Sequence, residues 1–256
     1  MRPWLLVAVT AAVGCQADCH IDRPCAVDGG GEYYVLEPEK PTGLAFMFLH
    51  GARLDNVDVL EKVDEGLFLD AGIRLVMPDS DDGRWSVSEG QEAAEEEAAF
   101  LARVADTLRD DDLADAGLAL GGHSVGSSMA WFTACYEPDA FDAFNATSGG
   151  FWEPAPERCE GPVALRHTHG LADPMVPLEG RVLAEGVAQS DILEGMDLWA
   201  ETNHCDAEPE QRADPGHACT VYTGCDEPLE ICLHDDGHKL LPDWEQRAID
   251  WISAAM

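Results

Sequence analysis

Three residues far apart in the chain, Ser124, Asp173 and His238, are of the types and in the order that nucleophilic acyl chemistry requires. A serine hydroxyl is a weak nucleophile, so it needs a base. The base in turn needs an acid that fixes its tautomer and orientation. Ser124 lies in Gly122-His123-Ser124-Val125-Gly126, which fits the Gly-x-Ser-x-Gly pattern of a nucleophile elbow. The spacing has a steric cause. A strand that turns at once into a helix holds the central serine in a strained conformation. Strand and helix then pass so close that the positions two before and two after it leave little room beyond glycine.

The partners follow from chain order, which for this arrangement is Ser, then acid, then His. Asp173 is the leading acid because it follows the strand candidate Pro162–His169, and loops at the carboxyl ends of strands carry function in open α/β sheets. Asp191, Asp197 and Asp206 are rivals without so clear a setting. His238, between the last strand and the last helix, is the leading base, with His234 as runner-up. His167 and His169 precede the acid and are poor bases by order. An oxyanion needs two N–H donors. The backbone of Val125, after the nucleophile, and that of Ala52, after the strand Leu44–Leu49, are the candidates. Trp85 and Trp152 are candidates to line a substrate pocket. The cysteines and histidines show no Cys-x-x-Cys pair or clean zinc spacing, so no metal is expected, and acyl transfer through a serine requires no organic cofactor.

These residues need a scaffold, and the pattern supplies one. Leu44–Leu49 and Ile73–Met77 are continuous apolar runs, as expected of strands buried on both faces. The run leading into Ser124, Phe141–Thr147 and Pro162–His169 read as further strands. Ala218–Thr223 and Leu229–His234 read as a pair around a Gly224 turn. Helical periodicity spans Asn56–Ala71, Ser88–Arg109, Glu179–Gln189 and Pro242–Ala255. His204–Gly216 reads as polar and irregular. Alternating strands and helices predict an α/β fold with a mostly parallel sheet covered on both faces.

Composition narrows the class. The chain has 256 residues, enough for one such domain, and 46% apolar content argues against disorder. Fifty acidic against 15 basic side chains give a formal charge of −35, which disfavours nucleic acid and anionic membrane surfaces as partners. Residues 1–14 read as a signal peptide, too short to span a membrane. Ala12-Val13-Gly14-Cys15 resembles a bacterial lipobox with Cys15 as the lipidated residue. The alternative is plain secretion. Nine cysteines less Cys15 leave an even set of eight, which suits disulfides in an oxidising compartment. Residues 15–31 read as a linker and 32–256 as the catalytic domain.

Tyr34-Val35-Leu36-Glu37-Pro38, Leu49-His50-Gly51, the elbow, Cys135-Tyr136-Glu137-Pro138-Asp139-Ala140-Phe141, His169-Gly170-Leu171-Ala172-Asp173-Pro174-Met175-Val176-Pro177 and Gly224-Cys225 through Gly237-His238 carry a resemblance. It is to the α/β-hydrolase superfamily, and within it to the secreted polyhydroxybutyrate depolymerase, feruloyl esterase and acetylxylan esterase group. The resemblance implies an α/β-hydrolase fold and a serine esterase acting on a small or polymer-linked ester through Ser124, Asp173 and His238. It also implies a Cys135–Cys159 tether. Cys19–Cys25, Cys205–Cys225 and Cys219–Cys232 are the pairings expected alongside it. A serine peptidase of the same fold and an inactive binding lipoprotein are the alternatives.

Overall fold

The parallel strands are buried along their length because helices cover both faces of the sheet. The computed structural model describes residues 23–27, 30–54, 56–60, 62–80, 83–206 and 208–256. Among them the chain runs β1 (Cys25–Ala26), β2 (Glu32–Leu36), β3 (Leu44–Leu49), α1 (Asn56–Leu60), α2 (Glu65–Asp70), β4 (Arg74–Pro78), α3 (Gln91–Asp110), β5 (Gly117–His123) and α4 (Val125–Tyr136). It continues through β6 (Ala143–Thr147), β7 (Leu165–Gly170), β8 (Arg181–Ala184), β9 (Val187–Gln189), α5 (Ile192–Thr202), β10 (Glu210–Asp214), β11 (His217–Tyr222), β12 (Leu229–His234) and α6 (Trp244–Ala255). The main sheet has the order β1-β2-β4-β3-β5-β6-β7-β12-β11-β10. Its centre, β4 through β12, is parallel, and β1, β2, β11 and β10 add antiparallel edges.

Strand alternation sorts side chains into two cores. In β3, Ala45, Met47 and Leu49 join α3, α4 and α5 on one face, while Phe46 and Phe48 join α2 and α6 on the other. The helices meet these faces with matched stripes. In α3, Ala94, Ala98, Leu101, Ala105 and Leu108 recur at three- and four-residue spacing and are buried. Helix α4 is buried from Gly126 to Cys135 because the sheet, α3 and the loop after β6 enclose it.

Three elements depart from the sequence reading. The predicted helix Glu179–Gln189 is the β8–β9 hairpin, turned at Gly186 with φ 77°. Its pattern was apolar without being buried, since Val182 is 80% exposed, so no core face selects a helix there. The helix begins later, where the Asp191 side chain accepts from the N–H groups of Leu193 and Glu194 and caps α5. The polar segment His204–Gly216 contains β10, an edge strand that needs no apolar face to pair with β11. The helix predicted over Asn56–Ala71 is two short helices. Asp64 caps the second by accepting from Gly66 N–H, and its own N–H donates to Glu245 of α6.

Disulfides join Cys135 to Cys159, Cys205 to Cys225 and Cys219 to Cys232, with Cα separations of 4.4, 3.9 and 4.0 Å. The first ties the end of α4 to the approach to β7. The second closes the insertion after α5, and the third crosses between paired residues of β11 and β12. Loops of this length confer about 3 kcal/mol each by restricting the unfolded chain. Cys25 is disulfide-bonded. Cys19, Cys15 and the expected signal segment lie outside the described residues.

Candidate active site

The elbow is built by two glycines and one strained serine. Ser124 has φ 60° and ψ −124°, a conformation that costs a non-glycine residue about 1–3 kcal/mol. A Cβ on Gly122 would lie 2.5 Å from the Gly126 carbonyl carbon, and one on Gly126 would run into the Leu49 backbone and approach the His50 oxygen to 2.5 Å. Strand β5, helix α4 and the end of β3 therefore meet backbone to backbone. The Ser124 N–H donates to Thr147 O at 3.0 Å, which stitches the turn to β6.

The loop after β3 passes beside Ser124: a Cβ on Gly51 would sit 3.6 Å from Ser124 Cβ. His50 holds this loop. It is fully buried, its Nδ1–H donates to Gly51 O at 2.8 Å, and its Nε2 pairs with Ser80 Oγ at 2.9 Å. Trp85 Nε1–H donates to His50 O at 2.9 Å, with its ring 5.0 Å from the imidazole. Trp85 thus differs from its expected role. At 3% exposure the indole is committed to bracing the Ala52 loop and has little surface left for a substrate. Ala52 is an exposed turn residue at the tip of the braced loop, and Val125 opens α4, where first-turn N–H groups have no intrahelical acceptor.

Asp173 and His238 come together from loops after β7 and β12. Asp173 Oδ1 accepts from the N–H groups of Met175 and Val176, each at 2.8 Å, and Oδ2 accepts from His238 Nδ1–H at 2.7 Å. Its side chain is fully buried and that of His238 is 15% exposed. Burial alone would raise the Asp173 pKa, but the Val176 N–H, His238 and the Met175 N–H together bring it below the ordinary carboxylate value. The two loops are zipped together. Leu171 N–H donates to His234 O, Ala172 N–H donates to Asp236 O, and a Cβ on Gly170 would lie 2.6 Å from Gly237 O. The His238 ring lies 4.8 Å from that of His123, the residue before Ser124, which puts His238 near the elbow. Burial, then the neighbouring His238, lower the His123 pKa to about 3, so this second imidazole stays neutral.

Sequence order had set aside His167 and His169 as bases, yet both serve the acid. His169 Nε2–H donates to Val176 O at 2.8 Å, which leaves Nδ1 to accept from His167 Nε2–H at 2.9 Å. The Val176 backbone is therefore held on both sides, its carbonyl by His169 and its N–H by Asp173. Burial lowers both imidazole pKa values and favours this neutral tautomer pair. The His-x-His spacing on a buried strand was the available signal, because it places both rings on one face.

His234, the runner-up base, is on the other face. Leu229 and Ile231 of β12 point into the α4-side core, so His234 points away from it, towards α6. Among the rival acids, Asp191 is occupied as the cap of α5. Trp152, expected at the substrate pocket, is partly exposed. Its Nε1–H donates to Ser128 Oγ on α4, and its backbone bridges Gln189 of β9. Sequence reading missed the exposed apolar residues of this rim. Leu171 and Met175 flank Asp173, and Arg181 ties the hairpin to them by donating to Pro174 O.

A strand–Ser124–helix turn over a parallel sheet, with an Asp–His pair on the following loops, is the arrangement of an α/β-hydrolase fold. In sequence the chain is similar to feruloyl esterases. It is 27% identical to Feruloyl esterase C of Emericella nidulans over 228 residues, 83% of this chain and 78% of the relative. It is 25% identical to the Probable feruloyl esterase C of Aspergillus flavus over 260 residues, 93% and 89% of the two chains. Its fold matches that of an acetyl xylan esterase from Aspergillus awamori with a TM-score of 0.69 and 14% identity, covering 90% of this chain and 96% of the other. No protein-family model matches the chain.

Proposed function

We propose that this protein is an exported serine esterase in which Ser124, His238 and Asp173 form the catalytic triad. One observation carries the reading. The proton of His238 Nδ1 is committed to a buried, ionised Asp173, so Nε2 bears the free lone pair, and the ring lies 4.8 Å from that of His123, the residue before Ser124. His238 Nε2 takes the Ser124 hydroxyl proton as Oγ bonds to the ester carbonyl carbon. The Val125 and Ala52 N–H groups receive the oxyanion. Collapse breaks the C–O bond, and the proton passes from His238 to the departing alcohol. Water, deprotonated by the same imidazole, then releases the acid from Oγ. No step needs a metal or an organic cofactor.

The substrate class is a small phenolic or acetyl ester attached to a larger alcohol, as the names of the similar esterases suggest. Trp152, Leu171 and Met175 form the apolar rim that meets its acyl part. The disulfides favour an oxidising compartment. Cys15 is proposed to carry a lipid anchor at the cell envelope.

A fluorophosphonate probe labels Ser124 in the active enzyme. Hydrolysis of p-nitrophenyl acetate, methyl ferulate, acetylated xylan and hydroxybutyrate oligomers then ranks the acyl groups. Absence of labelling in folded protein overturns the enzyme reading in favour of a binding role. Mass spectrometry of the mature N-terminus tests the anchor, and an unmodified terminus beyond Cys15 removes it.

A further inference from the structure

A base held by one hydrogen bond is not yet aimed. The Asp173 carboxylate fixes His238 Nδ1 at 2.7 Å. Hydrogen bonds tolerate a range of angles, so a ring bonded at one corner can still tilt about that corner. Nε2, on the far side of the ring, moves most in such a tilt, and it is the nitrogen that must meet the Ser124 hydroxyl.

His123 supplies a second contact. It is the last residue of β5, one before Ser124. Alternation along β5 puts it with Ala119 and Gly121 on the α2–α6 face, while Gly122 meets α4 at Gly126. The chain leaving His238 enters α6, which covers that same face. The two imidazoles meet with centroids 4.8 Å apart and planes 42° apart, the one ring contact that His238 makes among the described residues. His123 is itself fixed. It pairs with Thr147 of β6, and the next N–H, that of Ser124, donates to Thr147 O at 3.0 Å.

An uncharged ring suits this position. His238 becomes an imidazolium when it takes the Ser124 proton, and a neighbouring cation would oppose that step. Burial, His238, Lys62 and His169 outweigh Asp173 and keep His123 neutral. Its Nε2 is buried with no partner among the described residues, so a proton placed there would have no acceptor.

We propose that His123 is a positioning residue for the base: its ring sets the plane of His238 and ties it to the strand end that carries Ser124. The proposal rests on the Ser124–His238–Asp173 reading. One backbone turn then locates both partners of the proton transfer, the nucleophile directly and the base through the residue before it.

Steady-state hydrolysis of p-nitrophenyl acetate by the intact protein is the test. H123A removes the plate, and H123L keeps apolar volume without a flat face. Each should lower kcat about 10–100-fold with KM within about twofold, while the circular dichroism spectrum is unchanged. H123F restores a flat ring and should recover kcat to within about fivefold of the unsubstituted enzyme. An unsubstituted protein that neither hydrolyses the ester nor takes a fluorophosphonate label removes the triad reading and the proposal with it. An active enzyme whose kcat survives H123A and H123L, or is not recovered by H123F, overturns the positioning role alone. Should the variants fail to fold, crystals of the unsubstituted protein decide. His238 is expected there in one ring orientation against His123, and a second orientation with His123 unmoved overturns the proposal.

Discussion

The elbow and the insertion between Asp173 and His238 are held by opposite means. Around Ser124 the backbone of β5, α4 and the end of β3 is in direct contact, Gly122 and Gly126 leave no room for a Cβ, and His50 is buried with both ring nitrogens bonded. From Arg181 to Cys225 only α5 is packed into the core; the β8–β9 hairpin and β10 are largely exposed. This stretch carries a hairpin outside the main sheet and a polar edge strand, and two of the three described disulfides anchor this region or its neighbour β12. The chemistry is positioned by packing that tolerates no change. The surrounding surface is positioned by covalent ties that leave side chains free to vary.

The first way to break that contrast is at the nucleophile. Ser124→Ala should lower kcat by on the order of 10^5–10^6-fold while the circular dichroism spectrum and Tm stay near those of the unsubstituted protein. Asp173→Asn should follow with about 10^4-fold, since an amide no longer enforces the His238 tautomer. His169→Gln sharpens the comparison. It loosens the Val176 backbone and removes an imidazole whose Nε2 lies 3.6 Å from Asp173 Oδ2, while leaving Ser124, Asp173 and His238 in place, so kcat should fall about 10–100-fold with KM little changed. A loss of stability without any change in kcat would reduce His169 to a packing residue.

Acid sensitivity is a smaller effect. The pKa of His123 is about 3 in the folded protein against an ordinary 6.5, so between those values the unfolded chain binds a proton that the folded one refuses. Its contribution is complete above pH 6.5 and is lost as pH falls towards 3; His167, His169 and His234 act in the same direction. Asp173, held below its ordinary value, adds a further loss below about pH 4. Urea midpoints at pH 7 and pH 4.5 should therefore differ, and His123→Phe should narrow that difference by about 1–2 kcal/mol. The smallest effect belongs to the insertion. Val182→Asp on the exposed hairpin should change stability by less than about 0.5 kcal/mol, and any change in kcat/KM should appear through KM.

What the sequence by itself determined was whatever local sterics or chain order dictates. The Gly-x-Ser-x-Gly spacing announced the elbow because only glycine permits that backbone approach. Continuous apolar runs announced buried strands, and the order Ser, Asp, His singled out Asp173 and His238. Tertiary structure decided what depends on which face a side chain meets. Strand alternation sent His234 to the α6 side and His169 to the acid, although both are histidines beside functional loops. Burial turned Trp85 from a pocket candidate into a brace for the loop that carries Ala52. The absence of any core under Val182 made a hairpin of a helical pattern, because periodicity selects a helix only where one face of it is removed from water.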